Sequence, residues 1–318
     1  MKHRILQNGR VLPALEARLA ESFDLHRLAD KADAPAFLRE RGREFVGLVT
    51  SAPVGADAAL IDALPSLRVI SSFGVGFDRI DLARTVARGI AVGYTPDVLN
   101  DCVADLAFAL LLDVARGVSA ADRFVRRGAW PGERFRLTTR VSGKRLGILG
   151  LGRIGQAVAA RAAGFGMEIA YTGRRPVADA GHAFISTPVE LARWADFLVV
   201  TVAGGASTRH LVSREVLEAL GPDGVLVNVA RGSVVDEAAL VEALVQRRLG
   251  GAGLDVFENE PQVPQALLGL DNVVLAPHMA SGTMETRQAM ADLVFDNLLA
   301  YFDAGAVRCA VPGSAPLG

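Results

Sequence analysis

Gly150-Leu151-Gly152-Arg153-Ile154-Gly155 follows directly on the apolar run Arg145-Leu146-Gly147-Ile148-Leu149 and opens a helix-forming stretch over residues 156–163. Glycines at this spacing suit a dinucleotide. The first permits the tight strand-to-helix turn, the second lets backbone approach a pyrophosphate, and the third lets helix and strand pack closely. The anion then sits on free N–H groups at the helix N-terminus, where the helix dipole favours negative charge. The next strand reads over residues 167–171, and its end bears on which dinucleotide is meant. An NAD site places Asp or Glu about 20 residues on, to accept hydrogen bonds from the ribose 2′-OH. Eighteen residues after Gly155 stands Gly173 instead, preceded by Thr172 and followed by Arg174 and Arg175. The absence of a repelling carboxylate and the presence of two planar cationic donors suit the 2′-phosphate of NADP(H). NAD(H) stays open, because only Lys2, Lys31 and Lys144 are lysine and arginine carries nearly all positive charge wherever it falls.

Three further loops at expected strand ends carry unusual polar residues: Asn228-Val229-Ala230-Arg231-Gly232, the segment from Asp255 to Pro261, and the segment from Pro277 to Thr283. In open α/β sheets ligands bind beyond the carboxyl ends of strands, so these loops are expected to face one ligand together. Hydride transfer to a 2-oxo acid needs an acid to protonate the carbonyl oxygen, a partner that keeps that acid charged, and a cation for the substrate carboxylate. His278, Glu260 and Arg231 supply one each. His3, His26, His182 and His210 read as ordinary polar surface.

The elements that must position these residues alternate short apolar runs with helical periodicity from end to end, the pattern of parallel sheets covered by helices. Before residue 100 the expected strands are 4–7, 23–27, 45–50, 67–72 and 90–93, already a complete small doubly wound unit. A long apolar helix over 103–114 leads into a less regular segment around 128–139. The glycine unit follows, with further strands at 197–201, 225–228, 253–256 and 273–275 and a last amphipathic helix over 284–302. The fold class is therefore α/β with two doubly wound parallel-sheet domains. The chain's 318 residues are long enough for about two sizeable cores. A formal net charge of −1 supplies no basic field for nucleic acid or an anionic membrane surface, so neither is expected as a partner. Two cysteines, Cys102 and Cys309, are too few for a disulfide scaffold or a thiolate metal cluster, and no metal site is expected. No apolar run approaches the roughly 18 residues of a membrane span, and the start lacks a signal-peptide core. A cytoplasmic enzyme is the expectation.

Taken together, Asn228–Glu237 as Asn-Val-Ala-Arg-Gly-Ser-Val-Val-Asp-Glu, Gly253-Leu254-Asp255-Val256-Phe257 with Glu260-Pro261, and Pro277-His278 with Gly282-Thr283 resemble the signature blocks of the D-2-hydroxyacid dehydrogenase family. Residues 135–145, with Thr95-Pro96-Asp97-Val98-Leu99, are most similar to its hydroxyphenylpyruvate and hydroxypyruvate/glyoxylate reductase branch. The resemblance implies a flavodoxin-like substrate domain from residues 1–98 and 283–318, around a Rossmann-type cofactor domain over 99–282, and a homodimer. It implies that Arg231 binds and polarises the substrate, that Glu260 pairs with His278, and that His278 is the proton donor in reduction. Gly74, Val75 and Gly76 match the loop whose backbone N–H groups hold the substrate carboxylate. Ala230 falls among the cofactor-binding positions, and Asp255 matches the residue that contacts the nicotinamide amide. Thr201-Val202-Ala203-Gly204-Gly205-Ala206 departs from the family's commoner polar, proline-bearing loop. The implied activity is NADPH-dependent reduction of small 2-oxo acids to D-2-hydroxy acids. The alternatives are another dehydrogenase of the family with a different substrate and, from a different class, a nucleotide-sensing corepressor on the same fold. Trp130, in an irregular loop, reads either as a wall of the substrate site or as a dimer or core anchor.

Overall fold

The computed structural model describes residues 2–314, which divide into two compact units: residues 2–99 with 283–314, and residues 100–282. In the first unit, strands β1 (Arg4–Gln7), β2 (Asp24–Arg27), β3 (Gly47–Ser51), β4 (Val69–Phe73) and β5 (Ala91–Gly93) alternate with helices α1 (Pro13–Ser22), α2 (Ala34–Arg41), α3 (Ala58–Asp62) and α4 (Leu82–Ala87). All five strands are parallel, in the order β2-β1-β3-β4-β5, the doubly wound flavodoxin-like arrangement. Register explains the core. Leu6 lies opposite Leu48, Leu48 opposite Ile70 and Ile70 opposite Val92, so one apolar row crosses four strands on one sheet face. Ile61, Leu64 and Phe45 pack onto that row, and complete burial of each such side chain contributes about 1.5–3 kcal/mol.

The second unit opens with α5 (Asn100–Arg116) and α6 (Val118–Arg126). Its sheet is built from β6 (Arg145–Leu149), β7 (Glu168–Thr172), β8 (Ala183–Phe184), β9 (Phe197–Val200), β10 (Val225–Asn228), β11 (Gly251–Leu254) and β12 (Val273–Leu275). The helices between them are α7 (Arg153–Ala163), α8 (Pro188–Trp194), α9 (Arg214–Leu220) and α10 (Glu237–Val245). The seven strands are again all parallel, in the order β12-β11-β10-β9-β6-β7-β8, which makes this a Rossmann-type sheet whose order reverses between β6 and β9. A buried layer of Leu198, Val200, Leu226 and Leu254 packs against Leu217 of α9 and Leu240 and Leu244 of α10.

The last helix, α11 (Met284–Ala304), belongs to the first unit. Thr283 caps its start through its side-chain oxygen, and Gly305 ends it in the left-handed conformation. Its buried Asn297 donates to the Tyr94 carbonyl at 3.1 Å and accepts from the Cys309 N–H at 2.8 Å, stitching the terminal segment to the end of β5. Two elements lie outside the sequence expectation. β8 is a two-residue edge strand, too short for any periodicity to show. α6 buries only Phe124, so its other apolar residues do not mark a core face.

Candidate active site

The turn from β6 into α7 is built by close approaches. Gly150 has φ +101°, its N–H donates to the Thr172 carbonyl at 2.9 Å, and its carbonyl accepts from Thr201 Oγ1 at 2.7 Å. A methyl group on Gly155 would stand 2.2 Å from that same carbonyl, so helix and strand meet only with glycine there. Gly152, by contrast, faces open space and is the N-cap of α7 with no side-chain cap. Gly152 thus brings no capping side chain of its own to the start of α7, in front of an open cradle, which fits a dinucleotide diphosphate. Arg153 is exposed and Ile154 half-buried in the same turn. At the end of β7, Thr172 is buried and Gly173 half-buried. Arg174 and Arg175 are exposed and make no ion pair among the described residues.

The three polar loops are brought side by side by strand register. Asn228, Leu254 and Leu275, which end β10, β11 and β12, lie opposite one another across the parallel pairs. Arg231 leaves β10 in a turn bracketed by the buried Asn228 side chain, whose Oδ1 accepts from the Ala230 N–H at 3.0 Å and whose Nδ2 donates to the Arg231 carbonyl at 2.9 Å. Gly232 then presses onto the next loop, where an added methyl would lie 1.9 Å from the Phe257 carbonyl carbon. Only bare backbone permits this contact, which sets the Arg231 turn against the loop that carries Glu260. The Arg231 guanidinium donates to the Ala230 carbonyl at 2.7 Å.

Glu260 Oε1 accepts from the Phe257 N–H at 3.1 Å, and its Oε2 stands 2.7 Å from His278 Nδ1. An ionised carboxylate only accepts, so Nδ1 carries the hydrogen of this bond and Nε2 is left for a reacting group. Burial pushes the Glu260 carboxyl up, but the hydrogen bond and charge of His278, the Phe257 N–H and the Arg231 charge outweigh it and hold the group below its ordinary range. His278 itself is in a left-handed conformation, φ +51°. Its N–H donates to the Asp255 carbonyl at 2.8 Å, and the fully buried Asp255 carboxylate accepts from the Met279 N–H at 2.7 Å and the Ala280 N–H at 2.9 Å. Burial raises the Asp255 carboxyl, against the opposing pull of those two backbone donors.

Residues 108–280 match the NAD-binding domain of the D-isomer-specific 2-hydroxyacid dehydrogenases. The chain belongs to that family. It is 51% identical over 288 residues to hydroxyphenylpyruvate reductase of Plectranthus scutellarioides, which covers 91% of this chain and 92% of that one. It is 49% identical over 288 residues to a glyoxylate/hydroxypyruvate reductase of Arabidopsis thaliana, with the same coverage of 91% and 92%. Among solved structures, an NADPH-dependent glyoxylate/hydroxypyruvate reductase of Sinorhizobium meliloti in complex with NADP and malonate superposes with a TM-score of 0.92 at 44% identity, covering 100% of this chain and 99% of that one. This D-2-hydroxyacid dehydrogenase is accordingly an oxidoreductase with a nicotinamide cofactor.

Within the dehydrogenase, Arg231, Glu260 and His278 therefore occupy neighbouring loops of the second unit, and Ala230 is buried beneath the Arg231 turn. The Gly74-Val75-Gly76 loop leaves β4 in the first unit. The Val75 and Gly76 N–H groups have no acceptor among the described residues. Trp130 is 69% exposed and so anchors no core of its own chain. Two residues that shape the site stand in segments the sequence singles out, but without a role of their own. Asn228 is one, although Asn ahead of a tight turn is a recognisable signal; Thr201 is the other, and its bond to Gly150 spans 51 residues and leaves no local trace.

The Asp255 tether yields a stability prediction. Asp255→Asn sets an amide N–H against one of two backbone N–H groups it now accepts from, so a buried donor loses its partner. Urea denaturation is expected to show a loss of about 1–3 kcal/mol, and an unchanged midpoint would show that the tether contributes nothing.

Proposed function

We propose that this enzyme reduces small 2-oxo acids of the glyoxylate, hydroxypyruvate or hydroxyphenylpyruvate type to D-2-hydroxy acids, with NADPH preferred and His278 as the proton donor. The observation that carries the proposal is the 2.7 Å contact of His278 Nδ1 with a Glu260 carboxylate held below its ordinary range, on a loop packed against the Arg231 turn. The names of the relatives, reductases of hydroxyphenylpyruvate, glyoxylate and hydroxypyruvate, support the substrate class.

When bound, the nicotinamide supplies a hydride for the carbonyl carbon. Arg231 binds the 2-oxo acid through its planar guanidinium and polarises the carbonyl. The N–H groups of Val75 and Gly76 hold the substrate carboxylate in the proposed arrangement. His278 Nε2 then gives its proton to the carbonyl oxygen as negative charge develops there, while ionised Glu260 stabilises the charged imidazolium that must exist beforehand. Asp255, with both carboxylate oxygens occupied by backbone donors, acts by fixing the His278 loop. Gly150, Gly152, Arg153, Ile154 and Gly155 cradle the diphosphate; Thr172, Gly173, Arg174 and Arg175 form the ribose side. The proposed setting is the cytoplasm; no helix among the described residues is long and apolar enough to cross a membrane.

An NADPH-oxidation assay with glyoxylate and hydroxypyruvate tests the activity itself and separates a reductase from a protein that only senses nucleotide. His278→Ala should lower kcat by about 10²–10⁴-fold with cofactor affinity little changed; a value within threefold of wild type would remove His278 from the mechanism. In Glu260→Gln the alkaline fall of the reduction rate should begin at lower pH than in wild type, because a neutral amide stabilises an imidazolium less well than a carboxylate does. At the acid end, Glu260 is held ionised to below its ordinary range, so the pairing should outlast the protonation of an unpaired glutamate as pH falls. An alkaline limb of kcat/KM that does not move in Glu260→Gln would refute the pairing.

Arg174 and Arg175, which make no ion pair among the described residues, and Gly173 in place of a carboxylate support the preference for the 2′-phosphate. One charge-assisted hydrogen bond of about 1.5 kcal/mol gives roughly tenfold selectivity and two give more, so NADPH should exceed NADH by about ten- to a thousandfold in kcat/KM. Gly173→Asp with both arginines replaced should shift preference toward NADH. Equal turnover of the two cofactors by the wild-type protein would assign the pair to the solvated surface.

A homodimer is proposed on the strength of Val118, Val125, Trp130 and Leu137, apolar side chains that are 51–96% exposed within one stretch of the second unit. Sedimentation should give twice the 33.5 kDa chain mass, and Trp130→Glu with Leu137→Glu should give the single chain. A wild-type monomer at micromolar concentration would overturn this part of the proposal.

A further inference from the structure

The chain leaves β4 through a turn that is held from both neighbouring strands. On the β3 side, the Ala52 N–H donates to the Phe73 carbonyl at 3.1 Å, and a methyl group added to Gly74, whose φ is +142°, would stand 2.6 Å from Ala52 Cβ. On the β5 side, fully buried Thr95 exchanges two hydrogen bonds with Gly74. The Gly74 N–H donates to Thr95 Oγ1 at 3.1 Å, and the Thr95 N–H donates to the Gly74 carbonyl at 3.1 Å. Of the three successive donors Gly74, Val75 and Gly76, only the first therefore has an acceptor among the described residues.

We propose that Thr95 is the positioning residue for the substrate carboxylate: its hydroxyl takes up the Gly74 N–H and fixes the peptide from which the free Val75 and Gly76 N–H groups follow. This rests on reading the loop as the carboxylate site. Glycine at positive φ has wide conformational freedom, and two bonds to one buried residue remove it. The backbone half of the exchange is available to any residue at position 95. The side-chain half needs a short hydroxyl acceptor, which leaves threonine or serine. Without it, the buried Gly74 N–H has no partner and the loop either admits water or turns to find one. In both cases the two donors meant for the carboxylate are no longer pre-oriented, and the loss falls on substrate affinity more than on the chemical step.

The test compares glyoxylate with glycolaldehyde, a carbonyl of similar size without the carboxylate, in wild type, Thr95→Val and Thr95→Ser. KM for NADPH and the thermal midpoint are measured on the same preparations. Thr95→Val, which keeps the shape and removes the acceptor, should raise KM for glyoxylate by about tenfold, the worth of one good hydrogen bond. It should leave KM for NADPH within about twofold and glycolaldehyde turnover little changed, so that most of the preference for the carboxylate disappears. Thr95→Ser restores the hydroxyl and should recover most of that loss. If Thr95→Val does not fold, Thr95→Ala carries the same comparison. A wild-type preference for glyoxylate that survives unchanged in the hydroxyl-free variant overturns the proposal, as does an equal rise in KM for NADPH, which would mark a general structural defect. A wild-type enzyme with no preference for glyoxylate over glycolaldehyde would instead sink the reading of the loop as the carboxylate site, and Thr95's role with it.

Discussion

At Gly232 two loops meet backbone to backbone, and the chemistry assigned to the second unit depends on that contact. No side chain fits between them, since even a methyl group would lie 1.9 Å from the Phe257 carbonyl carbon. The Arg231 turn and the loop bearing Glu260 are therefore held at a fixed separation that no rotamer can alter. Glu260 is tied to the same loop by the Phe257 N–H and reaches His278 at 2.7 Å. The Arg231 guanidinium is held by the Ala230 carbonyl, and Glu260 is held by both the Phe257 N–H and His278, with the Arg231 charge acting on it. Such pre-organisation is what the proposed proton transfer would draw on.

The same economy recurs at the other two polar turns. At the start of α7, Gly155 brings the helix within contact of the Gly150 carbonyl while Thr201 holds that carbonyl from β9. At the end of β4, Thr95 holds Gly74. In each case a threonine hydroxyl from a neighbouring strand end satisfies one backbone group of the turn. The residues that follow, Gly152 and Arg153 at one turn and Val75 and Gly76 at the other, are only partly covered or exposed, and so their N–H groups are open to a ligand at the carboxyl edge of each parallel sheet; the diphosphate and the carboxylate are the anions proposed for them.

The electrostatics of the His278 loop follow from burial. Asp255 is fully enclosed and its carboxyl is raised, yet both oxygens are occupied by backbone N–H groups, which makes it a tether more than an exposed contact. Glu260 is only partly enclosed and is acted on by the His278 hydrogen bond and the Arg231 charge, so the opposite direction prevails. Two carboxylates on one short segment thus act differently: one holds the loop that presents His278, and the other bonds the His278 ring.

The α/β class, the doubly wound pattern and the family were all legible in the residues themselves, because parallel strands buried on both faces leave continuous apolar runs and because glycine turns and polar strand ends are local signals. The alternation also located most strands to within one or two residues, since β6, β10 and β12 are short runs dominated by Val, Leu and Ile. The two-residue β8 and the mostly exposed α6 lacked such a signal. What the local pattern could not contain is long-range pairing. The bond of Thr95 to Gly74, of Thr201 to Gly150 and of Asp255 to the residues after His278 join positions 21, 51 and 24 or 25 apart. Their partners are set by strand order and register, which bring sequence-distant strand ends into line. Residue types thus determined which chemistry this protein carries, while the tertiary structure alone decided which residues hold those groups in place, because orientation is a property of contacts across the sheet rather than of the chain along its length.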